Sequence, residues 1–350
     1  MSEQIKVLIV DDSSLIRKVV SDIFAKDPDI RVVGTADNGE TAILMNNELD
    51  PDVITMDIEM PILDGLSTLK QIMASNPKPV IMMSALTQYG ADATFKALEL
   101  GAVDFIPKKT TNISISLEEL EVLLITKVKI AAKSRLKFDK FESEGEETSR
   151  TNTKHKSIIS EVFEKIVAIG TSTGGPTALM DIFNKFPEKF PSPVLVVQHM
   201  PEGFTTAFSD RLNNSSYLKV KEAENGDELC SGHGYIAPGH SHMAIEKKKN
   251  KFNIKLFKAE KVSGHMPSID VLFDSVAEYA GSKSIGVIMT GMGRDGADGL
   301  LKIRSKGGYT IAQNEETSVV YGMNKVAIEI GAVDEIVPLS QITDRIVEHI

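Results

Sequence analysis

The sequence predicts an α/β protein built from two doubly wound parallel-sheet domains, on three observations. The chain has 350 residues, more than one hydrophobic core ordinarily supports. Short β-branched runs alternate with amphipathic stretches twice over, the pattern of parallel strands covered by helices on both faces. Between the two sets lies KSRLKFDKFESEGEETSRTNTKHK at 133–156, polar and dense in mixed charge with no apolar period, which reads as a helix-ended flexible linker. The expected domains are 1–130 and 161–350, joined by 131–160.

In the first domain the strands read KVLIV, RVVGTA, DVITMD, PVIMMS and AVDFIP. Helical patterns separate them: SSLIRKVVSDIFAK, GETAILMNNE, DGLSTLKQIMASN and DATFKALELG, with SLEELEVLLITKVKIAAK at the end. In the second domain the strands are KIVAIG, PVLVVQ, GYIAP, SIGVIM, YTIAQ and DEIVPL. ELGAVDFIP at 99–107 and EIGAVDEIVP at 329–338 echo one another; the expectation is a shared way of closing a helix at glycine, since the flanking sequences differ.

A formal net charge of −10 with no basic stripe argues against a nucleic-acid partner. A single cysteine, Cys230, cannot form an internal disulfide, and MSEQIKVLIVDDSS lacks the charged and apolar regions of a secretory leader. With no apolar run long enough to span a bilayer, the expectation is a cytoplasmic protein without membrane insertion.

Open parallel sheets collect function at the carboxyl ends of their strands. In the first domain those ends carry Asp11 and Asp12, Asp57, Ser84 and Lys108. Three crowded carboxylates, Asp11, Asp12 and Asp57, call for a hard cation such as Mg²⁺ held by oxygen ligands. Asp57 can then attack a phosphoryl donor, with the metal and Lys108 neutralising charge and Ser84 donating a hydrogen bond to the product.

In the second domain, GTSTGGP at 170–176 is a glycine-rich strand-to-helix turn. It suits either a phosphate or a nucleophile, but it lacks the Gly-Lys-Ser/Thr ending of a P-loop. As a nucleophile, Ser172 sits at a strand end with turn N–H groups, that of Thr173 among them, available to an oxyanion. His199, closing PVLVVQ, stands on the same rim as a base, and Asp295, after SIGVIM, can orient it. Of the other histidines, His233, His240 and His242 fall in a turn-rich stretch, His265 in a loop and His349 at the terminus. GMGRDG at 291–296 is a literal dinucleotide-binding match with Glu315 downstream, although Asp295 within it would repel a pyrophosphate. A nucleotide-binding oxidoreductase and a docking regulator without chemistry therefore stand as alternatives.

DD, MDIEMPILDG, MMSA and LGAVDFIPK closely resemble a response-regulator receiver domain, over about residues 4–125. That resemblance implies a flavodoxin-like fold, Asp57 as phosphoacceptor, Mg²⁺ at Asp12 and Asp57, and Phe105 as the switch aromatic beside Ser84 and Lys108. Where the family usually has proline after the lysine, this chain has Lys109, so a trans bond is expected there. AIGTSTGGPTAL, VLVVQHMPEGFT, GYIAPGHSHM, PSIDVLFDSVA, GVIMTGMGRDGADGL and VVYGM look like the catalytic domain of the chemotaxis protein-glutamate methylesterase family, CheB, from about 163 to 347. The resemblance implies a Rossmann-like α/β hydrolytic domain with Ser172 as nucleophile, His199 as base, Asp295 as its partner and backbone near Met292 at the oxyanion. It further implies hydrolysis of glutamate methyl esters and deamidation of glutamines on chemoreceptors, without a cofactor for the esterase. The phosphodonor would be the chemotaxis histidine kinase.

Overall fold

The structure, a computed structural model, describes residues 4–84, 88–108, 117–134, 163–249 and 251–350. Lys109, and the expected linker from residue 135 onward, lie outside the described residues.

The first sheet runs β2-β1-β3-β4-β5, all parallel, from β1 (Ile5–Val10), β2 (Ile30–Ala36), β3 (Val53–Asp57), β4 (Val80–Ser84) and β5 (Asp104–Pro107). β3 and β4 are buried along their whole lengths, so their near-continuous apolar runs have helices on both sides to meet. Alternate residues serve the two faces. Leu8, Val10, Ile54 and Met56 pack with Leu69 and Ile72 of α3 (Gly65–Ser75). Val7, Ile9 and Val53 pack with Val20 and Phe24 of α1 (Ser14–Phe24) and Leu124 and Val128 of α5 (Leu117–Ala131). Side-chain caps begin the helices: Ser13 accepts the Ile16 N–H at α1, Asn38 that of Thr41 at α2 (Gly39–Leu49), and Asp64 that of Ser67 at α3. α4 spans Gln88–Glu99, starting ahead of the DATFKALELG pattern.

The second sheet has seven parallel strands in the order β14-β13-β12-β6-β7-β9-β8. They are β6 (Ile166–Thr171), β7 (Val194–Gln198), β8 (Lys219–Glu222), β9 (His233–Ile236), β12 (Ser284–Ile288), β13 (Tyr309–Gln313) and β14 (Glu335–Val337). An antiparallel hairpin, β10 (His242–Lys248) with β11 (Lys251–Phe257), stands apart from the sheet. The helices that matter for the site are α6 (Gly175–Phe183), α7 (Thr205–Ser215), α8 (Ile269–Tyr279) and α10 (Met323–Glu329).

Three strands differ from the sequence expectation. β8, KVKE, is an edge strand with one buried apolar residue, Val220, too little for a periodicity to register. The hairpin hides its alternation among lysines, yet buries Met243, Ile245 and Ile254 on one face. His233 and His242 therefore open β9 and β10 instead of lying in turns, and His242 is fully buried. The internal echo is a shared helix ending. After α4, Gly101 N–H bonds Leu98 O and Ala102 N–H bonds Ala97 O; after α10, Gly331 N–H bonds Ile328 O and Ala332 N–H bonds Ala327 O. No helix among the described residues is long and apolar enough to cross a membrane.

The two sheets meet where α4 packs on α6 and α7 and where β5 touches the turns that lead into those two helices. Phe95 stacks on Phe208 with centroids 5.3 Å apart, and Phe105 packs at 4.6 Å on Phe204. Arg211 pairs with Glu99 beside them. All four rings are buried, so the contact is an apolar seam with charged margins.

Candidate active site and phosphoacceptor site

Both sites fall where the strand order reverses, at the carboxyl ends of adjacent parallel strands. In the first sheet that switch lies between β1 and β3. Asp11 follows β1, Asp57 ends β3 and Lys108 follows β5. The Lys108 ammonium stands 2.7 Å from Asp11 Oδ2 and 2.5 Å from Asp57 Oδ2. Burial pushes the Asp57 carboxyl above its ordinary value, and Lys108 offsets only part of that. One ligand oxygen from each of Asp11, Asp12 and Asp57 falls within a 4.8 Å cluster. An all-carboxylate set that already grips one ammonium fits Mg²⁺. Ser84 ends β4 with its hydroxyl donated to Gly90 O at 3.0 Å. Phe105, the expected switch aromatic, is the ring pressed on Phe204.

In the second sheet the switch lies between β6 and β12. Ser172 follows β6, and the 289–296 loop that carries Asp295 follows β12. Glycine is required at two points to bring these loops together. At Gly291 a Cβ would stand 2.7 Å from Ser172 Cβ. Gly174, at φ 76°, has the left-handed conformation that starts α6, and a Cβ there would meet Val319 at 2.6 Å. Gln198, buried at the end of β7, ties together the backbones of Ser172 and His199. Its Nε2 donates at 3.0 Å to both Ser172 O and His199 O, and its Oε1 accepts the Thr171 hydroxyl.

His199 Nε2 lies 2.8 Å from Asp295 Oδ2. Asp295 also accepts from Ser268 Oγ at 2.8 Å and from the N–H groups of Ile269 and Asp270, at 2.8 and 3.2 Å. It therefore sits on the N-terminus of α8, where an anion is favoured. Burial alone would raise this carboxyl, but the His199 proton, the Ile269 N–H and the Ser268 hydroxyl hold it below the usual range. An ionised Asp295 is acceptor-only, so Nε2 carries the imidazole proton and Nδ1 has the lone pair. That Nδ1 is buried and has no hydrogen-bond partner. Among the described residues no hydrogen bond joins it to Ser172 Oγ. The amides of Ser172 and Gly175 are engaged, to Thr290 O at 3.0 Å and Ser172 O at 2.8 Å. Those of Thr173 and Met292 have no partner among the described residues.

Three neighbours escaped the sequence reading. His265, read there as a loop histidine, stacks on His199 with centroids 3.7 Å apart and planes 9° from parallel. Burial, with the neighbouring His199, lowers its pKa to about 4. Nothing in the sequence distinguished it. Ser268 had the signature of a helix cap before an apolar run, and Gln198 was the lone polar residue in a buried strand. Asp295 lies within the GMGRDG turn with its carboxylate turned to His199 and α8, an anion where a dinucleotide fold needs none.

The receiver-like half touches this site. Asp104 of β5, ion-paired with Lys127 at 2.6 Å, accepts the Thr173 hydroxyl at 2.9 Å, one residue from Ser172. Lys261 pairs with Glu119 of α5 at 3.1 Å.

Residues 167–346 match the CheB methylesterase family and residues 7–117 the response regulator receiver domain family. A protein-glutamate methylesterase/protein-glutamine glutaminase from Pyrococcus horikoshii is 48% identical over 351 residues, covering 100% of this chain and 95% of that protein. One of the same name from Sulfurimonas denitrificans is 48% identical, covering 98% of this chain and 97% of its own. The crystal structure of the Thermotoga maritima CheB methylesterase catalytic domain aligns with a TM-score of 0.53 and 44% identity, over 54% of this chain and 100% of that one. Fold and matches together define an α/β ester and amide hydrolase coupled to a response-regulator receiver domain. The chain belongs to the CheB family of protein-glutamate methylesterases/protein-glutamine glutaminases.

Proposed function

We propose that Ser172, His199 and Asp295 hydrolyse glutamate methyl esters and deamidate glutamines on methyl-accepting chemoreceptors in the cytoplasm, and that phosphorylation of Asp57 by a chemotaxis histidine kinase turns this activity on. The observation that carries the chemistry is the buried, unpartnered His199 Nδ1 on an imidazole whose other nitrogen is committed to Asp295. Ser172 Oγ attacks the side-chain carbonyl carbon while Nδ1 takes the hydroxyl proton. The oxyanion accepts from the free Thr173 and Met292 amides. The imidazolium gives that proton to the departing oxygen or nitrogen as the C–O or C–N bond breaks, so that methanol or ammonia leaves. Water, deprotonated by the same nitrogen, then releases glutamate and restores Ser172. Asp295 stays ionised throughout and stabilises the imidazolium.

On the receiver side, Asp11, Asp12 and Asp57 would hold Mg²⁺, which neutralises charge on the transferring phosphoryl group. Asp57 is the acceptor, and Lys108, freed from its carboxylates, pairs with the product. Ser84 exchanges Gly90 O for a phosphoryl oxygen. That movement lies beside β5, whose Asp104 and Phe105 hold the esterase, so it supports release of the seam. A tenfold activation needs only about 1.4 kcal/mol of bias.

The test is methanol release from methylated receptor by the phosphorylated chain and by Ser172→Ala. The variant should lose at least about four orders of magnitude in rate. Substantial residual hydrolysis with the fold intact would remove Ser172 from the mechanism.

A further inference from the structure

The stretch from the end of β10 to His265 has a charge unlike the rest of the molecule. Between 247 and 261 there are seven lysines against one glutamate, in a chain of formal net charge −10. Lys255, Lys258 and Lys261 are exposed. The last of them opens directly into the catalytic centre. Val262 and His265 exchange N–H···O bonds of 3.0 and 2.9 Å across a tight turn at Ser263 and Gly264, at φ 53° and 84°, and His265 is the ring stacked on the base. Lys261 is close enough that its charge bears on the His265 imidazole.

In the structure Lys261 already holds a carboxylate. Its partner, Glu119, belongs to the first turn of α5, whose sequence begins Leu-Glu-Glu-Leu-Glu. The acidic first turn of α5 thus stands against the segment that leads to His265. Resting on the function proposed above, the substrate has the same character, because every ester or amide hydrolysed leaves a new carboxylate on the receptor. A segment with several such sites becomes steadily more anionic as it is processed.

We infer that Lys261, with Lys258 and Lys255, is a docking surface for an acidic receptor segment carrying a carboxylate close to the scissile ester, and that Glu119 of α5 occupies it in the closed chain as a substitute for that carboxylate. The receiver then excludes substrate by competing for a charge as well as by covering Ser172. An exposed pair of this kind contributes little to stability, which suits a contact that must be exchanged. Its value lies in steering and in choosing among substrates.

The experiment uses the full chain with a small-molecule phosphodonor and Mg²⁺. It compares kcat/KM for methylated receptor with kcat/KM for a neutral, capped glutamate methyl ester. Lys261→Glu should lower the receptor-to-capped-ester ratio about tenfold, through KM for the receptor, and added salt should erode the parent's ratio towards the variant's. Glu119→Lys should raise receptor hydrolysis by the unphosphorylated chain several-fold. The Glu119→Lys, Lys261→Glu double variant should restore the low unphosphorylated rate while keeping the poor ratio. If Lys261→Glu does not fold, Lys261→Gln gives the same comparison with a smaller drop. A parent active on both substrates whose ratio is unchanged by either substitution overturns the docking surface alone. A parent inactive on both overturns the esterase reading and the docking surface with it.

Discussion

Asp57 and Asp295 are two buried carboxylates at equivalent places in two parallel sheets, yet their surroundings shift them in opposite directions. Asp57 is raised because burial dominates and one lysine is shared between it and Asp11. Asp295 is lowered because His199, Ser268 and two N–H groups at the start of α8 all donate to it. The first site is left short of positive charge, as the proposed uptake of a cation and a phosphoryl group requires. The second has its Asp295–His199 pair fixed before any substrate arrives. A switch needs the former and a catalyst the latter.

The comparison is tested most severely by neutralising each carboxylate. Asp295→Asn should reduce demethylation by roughly two to four orders of magnitude, less than Ser172→Ala, because the base loses its orientation but the nucleophile remains. It should also destabilise the esterase half by about 2–4 kcal/mol in denaturant unfolding, since donors aimed at a carboxylate lose their partner. Asp57→Asn should instead stabilise the receiver half by on the order of 1 kcal/mol without Mg²⁺, while abolishing hydroxylamine-labile phosphate uptake. Destabilisation by Asp57→Asn would show that Lys108 outweighs burial there. The pH dependences should differ in sign. Asp295 contributes stability above its unfolded pKa of 3.8 that is lost as pH falls through its lower folded value, whereas Asp57 detracts from stability as pH rises from 3.8 through its raised folded value.

A smaller effect tests the link between the two sites. Asp104→Ala removes the acceptor of the Thr173 hydroxyl and should raise the unphosphorylated demethylation rate several-fold. An unchanged rate would mean the aromatic seam alone keeps the site closed. The smallest effect concerns His265, which burial and its neighbours His199, Lys261 and Lys127 keep neutral, with Asp295 opposing them. Its folded pKa of about 4 lies below the ordinary histidine value of 6.5. Its contribution to stability should therefore be complete above pH 6.5 and fall as pH drops towards 4. His265→Phe should flatten the unfolding profile in that window.

Strand ends made most of both sites legible. Asp11, Asp57, Ser84 and Lys108, and likewise Ser172, His199 and Asp295, follow apolar runs that only a buried parallel strand explains, so order along the chain implied proximity in space. What stayed hidden had no such marker. The β10–β11 hairpin gave no strand signal because the lysines along it dilute the apolar pattern of its buried face. His265 reaches the site through a turn whose position depends on where α8 packs, and the Asp104–Thr173 bond depends on how the two sheets meet.

The most direct measurement is the rate at which a serine-directed phosphonate labels Ser172, followed by intact mass and peptide mapping. The unphosphorylated chain, the chain with phosphodonor and Mg²⁺, and a fragment beginning near residue 155 would be compared. Labelling at Ser172 should be slow in the first and about tenfold or more faster in the other two, with Asp57→Asn remaining slow under every condition. Equal rates in all three, with Ser172 still the labelled residue, would contradict closure of the active site by the receiver.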